Sequence, residues 1–473
     1  MTNEHRAGRG VVKSRRTKYR WDKVGTAIMA IATRTREKKR LWRHSAFMLF
    51  WSGETVSLFG TQVTMLALPL TAVLTLHATT AQLGLIRFLE TFPYILFTLV
   101  FGAWVDRRRR KPALVLANAA RGVLIGLVPL LAILHLLQLS LLGMIAFGVG
   151  VFTVLFDVTW LAYVPTLIRA EDLVEANGKV ATSSSAAEVA GPGLGGVLVQ
   201  VLTAPLALLA DAVSYVVATI TLLAIRAPEP APPVRQGQQK RLLGEIGVGM
   251  RMVWANPYLR AIMLMSGLWN MLFGIADTVF MLYAVRDLHI QAGTLGGIFA
   301  AGAVGGLIGS AVSTRLGQHG AFGPMLGIAF TFGCAPWVLL PAVQGTQTLE
   351  VIGFTLAYFL VRVGLGLWSV LTISFRQAIT PHHLLGRVNA SLRFVSYGLG
   401  ALGFLLAGAL ATLAGLRQAL WVAALGFVVI LAITLLATPL PRVRSIPAGP
   451  STADFVTHER EDAYTAEAER IVD

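Results

Sequence analysis

Six carboxylates stand inside long apolar runs of this chain: Glu54, Glu90, Asp157, Glu188, Asp211 and Asp277. Four arginines share such runs, Arg87, Arg121, Arg362 and Arg393. An ionised group at the centre of a lipid-embedded helix costs about 2.5–3.5 kcal/mol on insertion scales. Each of these residues must therefore face an aqueous cavity, pair with an opposite charge or, for the acids, carry a proton. Desolvation disfavours an ionised carboxylate and a neighbouring cation favours it, so a buried acid between these influences can load and release protons. No His, Cys, Asp or Glu spacing suggests a metal site, and no nucleophile–base pair or nucleotide-binding motif stands out. The chain reads as a non-enzyme without a cofactor.

The elements that must position these groups follow from composition. Of 473 residues, 55% are hydrophobic and only 14% charged, with 47 glycines, a balance that suits lipid. The net charge of +16 is carried by short basic segments between apolar runs, which sets membrane orientation and gives no reason to expect nucleic acid. The single cysteine, Cys334, lies in an apolar run and reads as a small packing residue. Apolar stretches at 46–75, 81–104, 113–135, 140–167, 179–202, 205–225, 261–284, 293–316, 322–342, 349–376, 388–413 and 417–438 predict twelve transmembrane helices.

The expected fold is an all-α integral membrane protein of two pseudo-symmetric six-helix bundles, at 46–225 and 261–440. Between them, 226–260 opens on a Pro-rich run that cannot span a membrane and continues as an amphipathic helix carrying Leu242, Leu243, Ile246, Met250 and Trp254. Residues 1–45 form a basic tail read as disordered, with fourteen Lys or Arg against three acids in the first 43 positions and no secretory signal; initiation at Met29 is an alternative. The segment 441–473 reads as an acid-rich disordered tail. Basic residues gather in the N-tail, Arg107–Lys111, Arg169, the linker, Arg315 and Arg387, and few lie in the opposite loops, so both termini are expected to be cytoplasmic in a multi-pass protein of the cell (inner) membrane. His77, His135 and His289 fall near the outer loops and read as solvated.

The halves repeat. At an offset of 212, Leu173 meets Leu385, Asn177 meets Asn389, Gly191 meets Gly403 and Gly196 meets Gly408.

Between the second and third spans, GAWVDRRRRKP places Gly102, Asp106, Arg107, Arg110 and Lys111 at the spacing G-x-x-x-D-R-x-x-R-K. This resembles the cytoplasmic loop of the major facilitator superfamily. In the fifth span Gly191, Pro192 and Gly195, with Gly178 upstream, are similar to that superfamily's antiporter motif, although Ala187 stands where a further glycine is expected. The run from Phe156 to Gly178, with TPHHLLGRVNASLR at 380–393, resembles the branch that holds the enterobactin and macrolide exporters, and the likeness covers about residues 41–440. Drug antiporters of the superfamily usually carry an arginine within span 4; here Asp157 stands in that span instead.

The resemblance implies that spans 1, 4, 7 and 10 line a central cavity, bringing forward Glu54, Asp157, Asp277 and Arg362. Asp157, Glu54 and Asp277 lead as proton-coupling sites, followed by Glu90, with Arg87 as its neighbour, and Glu188. At 1.5 Å per residue Arg121 and Asp157 both lie roughly 12–15 Å deep, so Arg121 is expected to pair with Asp157 or Glu188. Trp51, Trp160, Trp269 and Trp368 are the leading candidates for cavity aromatics. The implied function is proton-coupled export of hydrophobic or amphipathic small molecules by a monomer in the bilayer. A siderophore or metabolite exporter, an importer of the same fold, and a non-transporting sensor or enzyme stay open as alternatives, and the resemblance also implies that Asp106 holds the cytoplasmic side shut against the start of helix 11.

Overall fold

A computed structural model describes residues 41–42, 44–105, 107–227, 229, 242–316, 322–381 and 384–443. The tails up to 40 and from 444, the linker positions 230–241 and Asp106 lie outside the described residues, and with them the expected tail disorder and the expected Asp106 contact.

Among the described residues there is no strand. The first half comprises α1 (Ser45–Leu70), α2 (Thr80–Val105), α3 (Arg110–Ile133), α4 (Leu139–Leu167), α5 (Leu173–Leu202) and α6 (Ala204–Ala224). The second comprises α7 (Pro257–Leu282), α8 (Ala292–Leu316), α9 (Phe322–Cys334), α10 (Gln347–Ile379), α11 (Leu385–Ala414) and α12 (Leu416–Ala437). Eleven of these segments are long and apolar enough to cross a membrane, and α2, 26 residues long with Arg87 and Glu90 inside it, completes the set. The chain is an all-α membrane protein, as its composition predicts.

Several helices begin before their apolar runs, among them α7 at Pro257 against 261 and α3 at Arg110 against 113. Helices α5 and α11 begin six and three residues before the expected 179 and 388, because their polar first turns are helical although not hydrophobic. The span expected at 322–342 is broken: α9 passes into a 3-10 turn at Ala335–Val338 and a short helix at Leu339–Ala342. Pro336 has no amide hydrogen to continue the ladder.

The 212-residue offset organises the whole molecule. Helices α1 and α7, α2 and α8, α3 and α9, α5 and α11, and α6 and α12 each start 212 positions apart, while α4 and α10 end 212 positions apart, at Leu167 and Ile379. The helix ends repeat in detail as well. α1 continues into a π-turn at Thr71–Thr75 and α7 into one at Tyr283–Asp287. The amides of Leu76 and Leu288 donate to the carbonyls of Thr71 and Tyr283 at 3.2 Å in both turns. His77 and His289 follow with φ of 53° and 51°. Between α5 and α6 Thr203 has φ 91° and ψ 157°, and its counterpart between α11 and α12, Gly415, has φ 88° and ψ 164°.

Within the first half α1 packs on α5 and α6, α2 on α4, and α3 on α4 and α6; the second half repeats the pattern, with α7 on α11 and α12 and α10 on α8 and α9. The halves meet along two seams, α2 with α11 and α5 with α8. A Cβ on Gly84 would strike the carbonyl of Phe404, and one on Gly296 the carbonyl of Pro192, which stands 212 positions before Phe404. Gly408 lies against Ala81 and Gly196 against Gly293 in the same paired manner. Such absent side chains let backbones approach where lipid supplies little hydrophobic drive for helix association.

The linker ends in a helix, Leu242–Ala255, that packs on α11: Gly249 rests against the Arg387 carbonyl and Val253 is buried, whereas Trp254 is 50% exposed. Asn256 then caps α7, its side-chain oxygen accepting from the amides of Tyr258 and Leu259. At the other end of the linker Glu229 accepts from the backbone amides of Arg110 and Lys111 at the start of α3. The Lys111 ammonium donates in turn to the carbonyls of Leu223 and Ile225 at the end of α6. An acid on helix N-terminal amides and a cation on C-terminal carbonyls both complement the helix dipole.

Candidate functional site

The ionisable residues fall into two groups. The first lies inside the first half around Arg121, which is 4% exposed on α3. Its guanidinium stands over the rings of Phe156 on α4 and Tyr215 on α6, at 4.3 and 4.5 Å from their centroids, and donates to the Asn118 side-chain oxygen. Cation–π contacts in a desolvated place are worth about 2 kcal/mol or more each. The expected ion pair with Asp157 or Glu188 is not formed. Arg121 is held by aromatic faces from two other helices, and Asp157 takes its hydrogen bond at 2.7 Å from the Tyr94 hydroxyl of α2. Glu188, on α5, is exposed.

The field of Arg121 nevertheless reaches three carboxylates, Glu54, Asp157 and Asp211. Asp211, fully buried on α6, accepts from the hydroxyls of Thr64 at 2.5 Å and Ser214 at 3.0 Å. Glu54 is half-buried on α1 and has no hydrogen-bond partner among the described residues. Three acids thus share the field of Arg121, and Asp157 lies also in that of Arg393 of the second half. Tyr94, the donor to Asp157, stacks on Tyr397 of α11 across the divide between halves, with ring centroids 4.9 Å apart.

The second group lies between the halves. Arg87 of α2 reaches Asp277 of α7 at 3.1 Å and Glu90 one turn along its own helix at 3.5 Å. These are the two salt bridges among the described residues. The Arg87 and Asp277 side chains are 14% and 13% exposed, so this is a largely desolvated pair. The hydroxyl of Tyr358 on α10 lies in the fields of Asp277, Arg362 and Arg87. Sequence reasoning named each residue of the ion pair, and the structure brings them together.

Other contacts across the halves lie near the helix ends remote from the linker. The Arg286 guanidinium donates to the Ala78 carbonyl at 2.7 Å, and Gln200 donates to Gln291 at 2.9 Å. The glycine seams close the same end. Towards the linker, Glu188, Arg362 and Arg393 are exposed on helix faces within the spans.

The aromatic candidates divide. Trp269 is 9% exposed, donates its indole N–H to the Gly333 carbonyl at 3.0 Å and stacks on Phe273, and Trp368 packs on Phe330; both are core residues of the second half. Trp51 lies with Trp42 at the linker end, where the Lys179 ammonium stands 3.5 Å from the Trp42 ring centroid and 5.2 Å from that of Trp51. Trp160 is half-buried against the same end of the first half. A tryptophan in an apolar helix has no sequence mark separating cavity from core.

Of the expected motif glycines, Gly191 and Gly195 press on Gln62 and Val63 of α1, and the carbonyl of Pro192 faces Gly296. Gly102 and Gly178 have open space where a Cβ would stand. In the arginine loop Arg107 is exposed, Arg108 stands 5.5 Å from the Trp104 ring centroid, and Arg110 and Lys111 offer their amides to Glu229. That last contact was not visible in the sequence, because Glu229 sits in a Pro-rich stretch with no helical spacing relative to the loop.

Comparison with known proteins places this geometry. The family model described as Major Facilitator Superfamily matches residues 50–404. Among curated proteins, the multidrug efflux pump Tap of Mycolicibacterium fortuitum is 26% identical over 402 residues, covering 82% of this chain and 93% of that protein. The enterobactin exporter EntS of Citrobacter koseri is 27% identical over 415 residues, covering 87% and 96%. Among solved structures, a bacterial homologue of the iron transporter ferroportin in its inward-facing state superposes with a TM-score of 0.67 at 17% identity, covering 84% of this chain and 98% of that one.

Proposed function

The chain belongs to the Major Facilitator Superfamily and is a multi-pass membrane transporter, not an enzyme; from that premise we propose that it is a proton-coupled exporter of amphipathic small molecules in the inner membrane, with both termini and the linker cytoplasmic. Similarity to two proteins named as exporters supports the direction. Proton coupling rests on one observation, the surplus of carboxylates: Glu54, Asp157 and Asp211 share the field of one guanidinium, and Arg87 faces both Glu90 and Asp277. In a low-dielectric site such a surplus is relieved by protons.

The working cycle follows from which contacts join the halves. With the remote ends closed by the glycine seams and the Arg87–Asp277 pair, cargo enters from the linker side. Opening the other side separates α2 from α7 and breaks that pair. A proton taken from outside neutralises Asp277 and stabilises the separated state; when the halves return, Asp277 gives that proton up to Asp157 or Glu54, from which it leaves on the cytoplasmic side, and re-forms its pair with Arg87. Gly191, Pro192 and Gly195 keep α5 close to α1 and α8, on the seam that must part. The protein acts as a monomer, since each half closes on the other within one chain.

Expression in an efflux-deficient host tests this. Some toxic amphipathic compounds are expected to accumulate less in expressing cells, and collapsing the proton gradient or introducing Asp157→Asn is expected to abolish the difference. If no compound responds to expression, or responses persist without a gradient, the reading fails.

A further inference from the structure

We propose that the cargo carries an acidic group held by Arg362. Arg362 lies near the midpoint of the 33-residue α10, where a charge has the greatest need of a partner, yet its side chain is exposed. Among the described residues it has no carboxylate partner, because Asp277, the acid that shares its neighbourhood at Tyr358, is bound to Arg87. Its stem lies against Gly302 of α8, and Tyr358, one turn before it, meets Phe280 of α7, one turn along from Asp277, whose partner Arg87 belongs to the opposite half. Arg362 therefore faces the divide between the halves, and not lipid.

What surrounds it is rich in donors and poor in acceptors. The Tyr358 hydroxyl and the Trp337 indole N–H are buried and without hydrogen-bond partners. Their rings lie 5.7 Å apart, and Tyr358 also meets Phe280 and Phe299 at 5.2 and 5.1 Å. Towards the linker the second half adds Arg376, whose buried Nε has no partner, and exposed Arg393, each in the field of the other. A cationic cargo would meet guanidinium groups along this face. A carboxylate, phenolate or sulfonate would satisfy Arg362 by charge-assisted hydrogen bonds.

This assignment rests on the transporter reading, and two separate readouts keep the two apart. Three pyrene probes share one apolar body: pyrenebutyrate, pyrenebutanol and pyrenebutyl-trimethylammonium. Their binding to the full-length protein in nanodiscs is measured against empty nanodiscs, and their pH-driven efflux is measured in proteoliposomes. The wild type should prefer the carboxylate. Arg362→Gln should weaken its binding roughly tenfold or more, the loss expected for charged hydrogen bonds, and Arg362→Lys should weaken it less. Absence of carboxylate binding, a preference for the cationic or neutral probe, or equal binding by wild type and Arg362→Gln overturns the assignment. The wild-type preference decides the matter even if a variant fails to fold. Arg362-dependent binding without pH-driven efflux would leave the anchor standing and remove the exporter reading.

Discussion

Arg121 in the first half and Gly333 in the second hold the same place in a scaffold that repeats every 212 positions, and their surroundings show how differently the two copies are filled. The residues that clamp Arg121, Asn118, Phe156 and Tyr215, correspond to Phe330, Trp368 and Phe427. The acids correspond likewise: Glu54 to Ser266, Asp157 to Ser369 and Asp211 to Ala423. Where the first half has a cation among carboxylates, the second has rings: Trp337 stacks on Phe427 at 4.9 Å, Trp368 packs on Phe330 at 4.7 Å, and Trp269 donates to the Gly333 carbonyl. One backbone thus supports a core whose charge can change and a core in which these groups carry no charge to change. The second half leaves Arg362 and Arg393 exposed within its spans. On the proposed reading the carboxylates around Arg121 lie in one copy and the cargo anchor Arg362 in the other, with Asp277 at the divide between them.

The largest test exchanges a residue for its counterpart's chemistry. Arg121→Met removes the cation nearest Glu54 and Asp211 and one of the two that act on Asp157, and breaking a buried charged cluster costs about 3–5 kcal/mol. Transport should fall below a hundredth of wild type, with a marked loss of thermal stability; normal transport would mean that the two cores are interchangeable. Next come the seams, where the halves are alike. Gly84→Val and Gly296→Val place side chains against Phe404 and Pro192 carbonyls, and each should cut transport by roughly tenfold or more through a remote end that no longer closes. Unequal losses would show that only one seam is essential to closure. Asp277→Asn, at a position where the first half has Met65, should favour separation of the remote ends by about 1–2 kcal/mol. Thiol labelling at Gln291→Cys in a Cys334→Ser background should then accelerate some five- to thirtyfold. An unchanged labelling rate would show that the ion pair does not hold the halves together.

The smallest test concerns the backbone. Thr203 occupies a φ/ψ region nearly exclusive to glycine, and its counterpart is Gly415. Thr203→Gly should raise stability by about 1 kcal/mol without altering transport, read as a higher melting temperature of the purified protein. A lower melting temperature would mean that the threonine side chain contributes more than its backbone costs.

Much of this architecture was legible in the sequence. Lipid permits only helices or closed barrels, so apolar run lengths marked the spans, and small residues that must recur at matching contacts exposed the 212-residue offset. Arg87 and Asp277 could each be named because unpaired charge inside a span demands an explanation, whereas their pairing across the halves could not, since they lie on helices far apart in the sequence. The environment of Arg121 could not be read, since Phe156 and Tyr215 lie on other helices and cation–π contact leaves no pattern in spacing. Helix α9 kept its apolar run through a break at Pro336, and Trp269 and Trp368 were read as lining a cavity when each packs in the core. Residue type states what a side chain can do; the helix packed against it settles what it does.

Glu229 has a mechanical consequence. Because its carboxylate is fastened to the first amides of α3, the connection between the two halves is anchored there, four residues beyond Ile225. Tension along the connection during a swing would pull on the root of the arginine loop before it reached the end of α6.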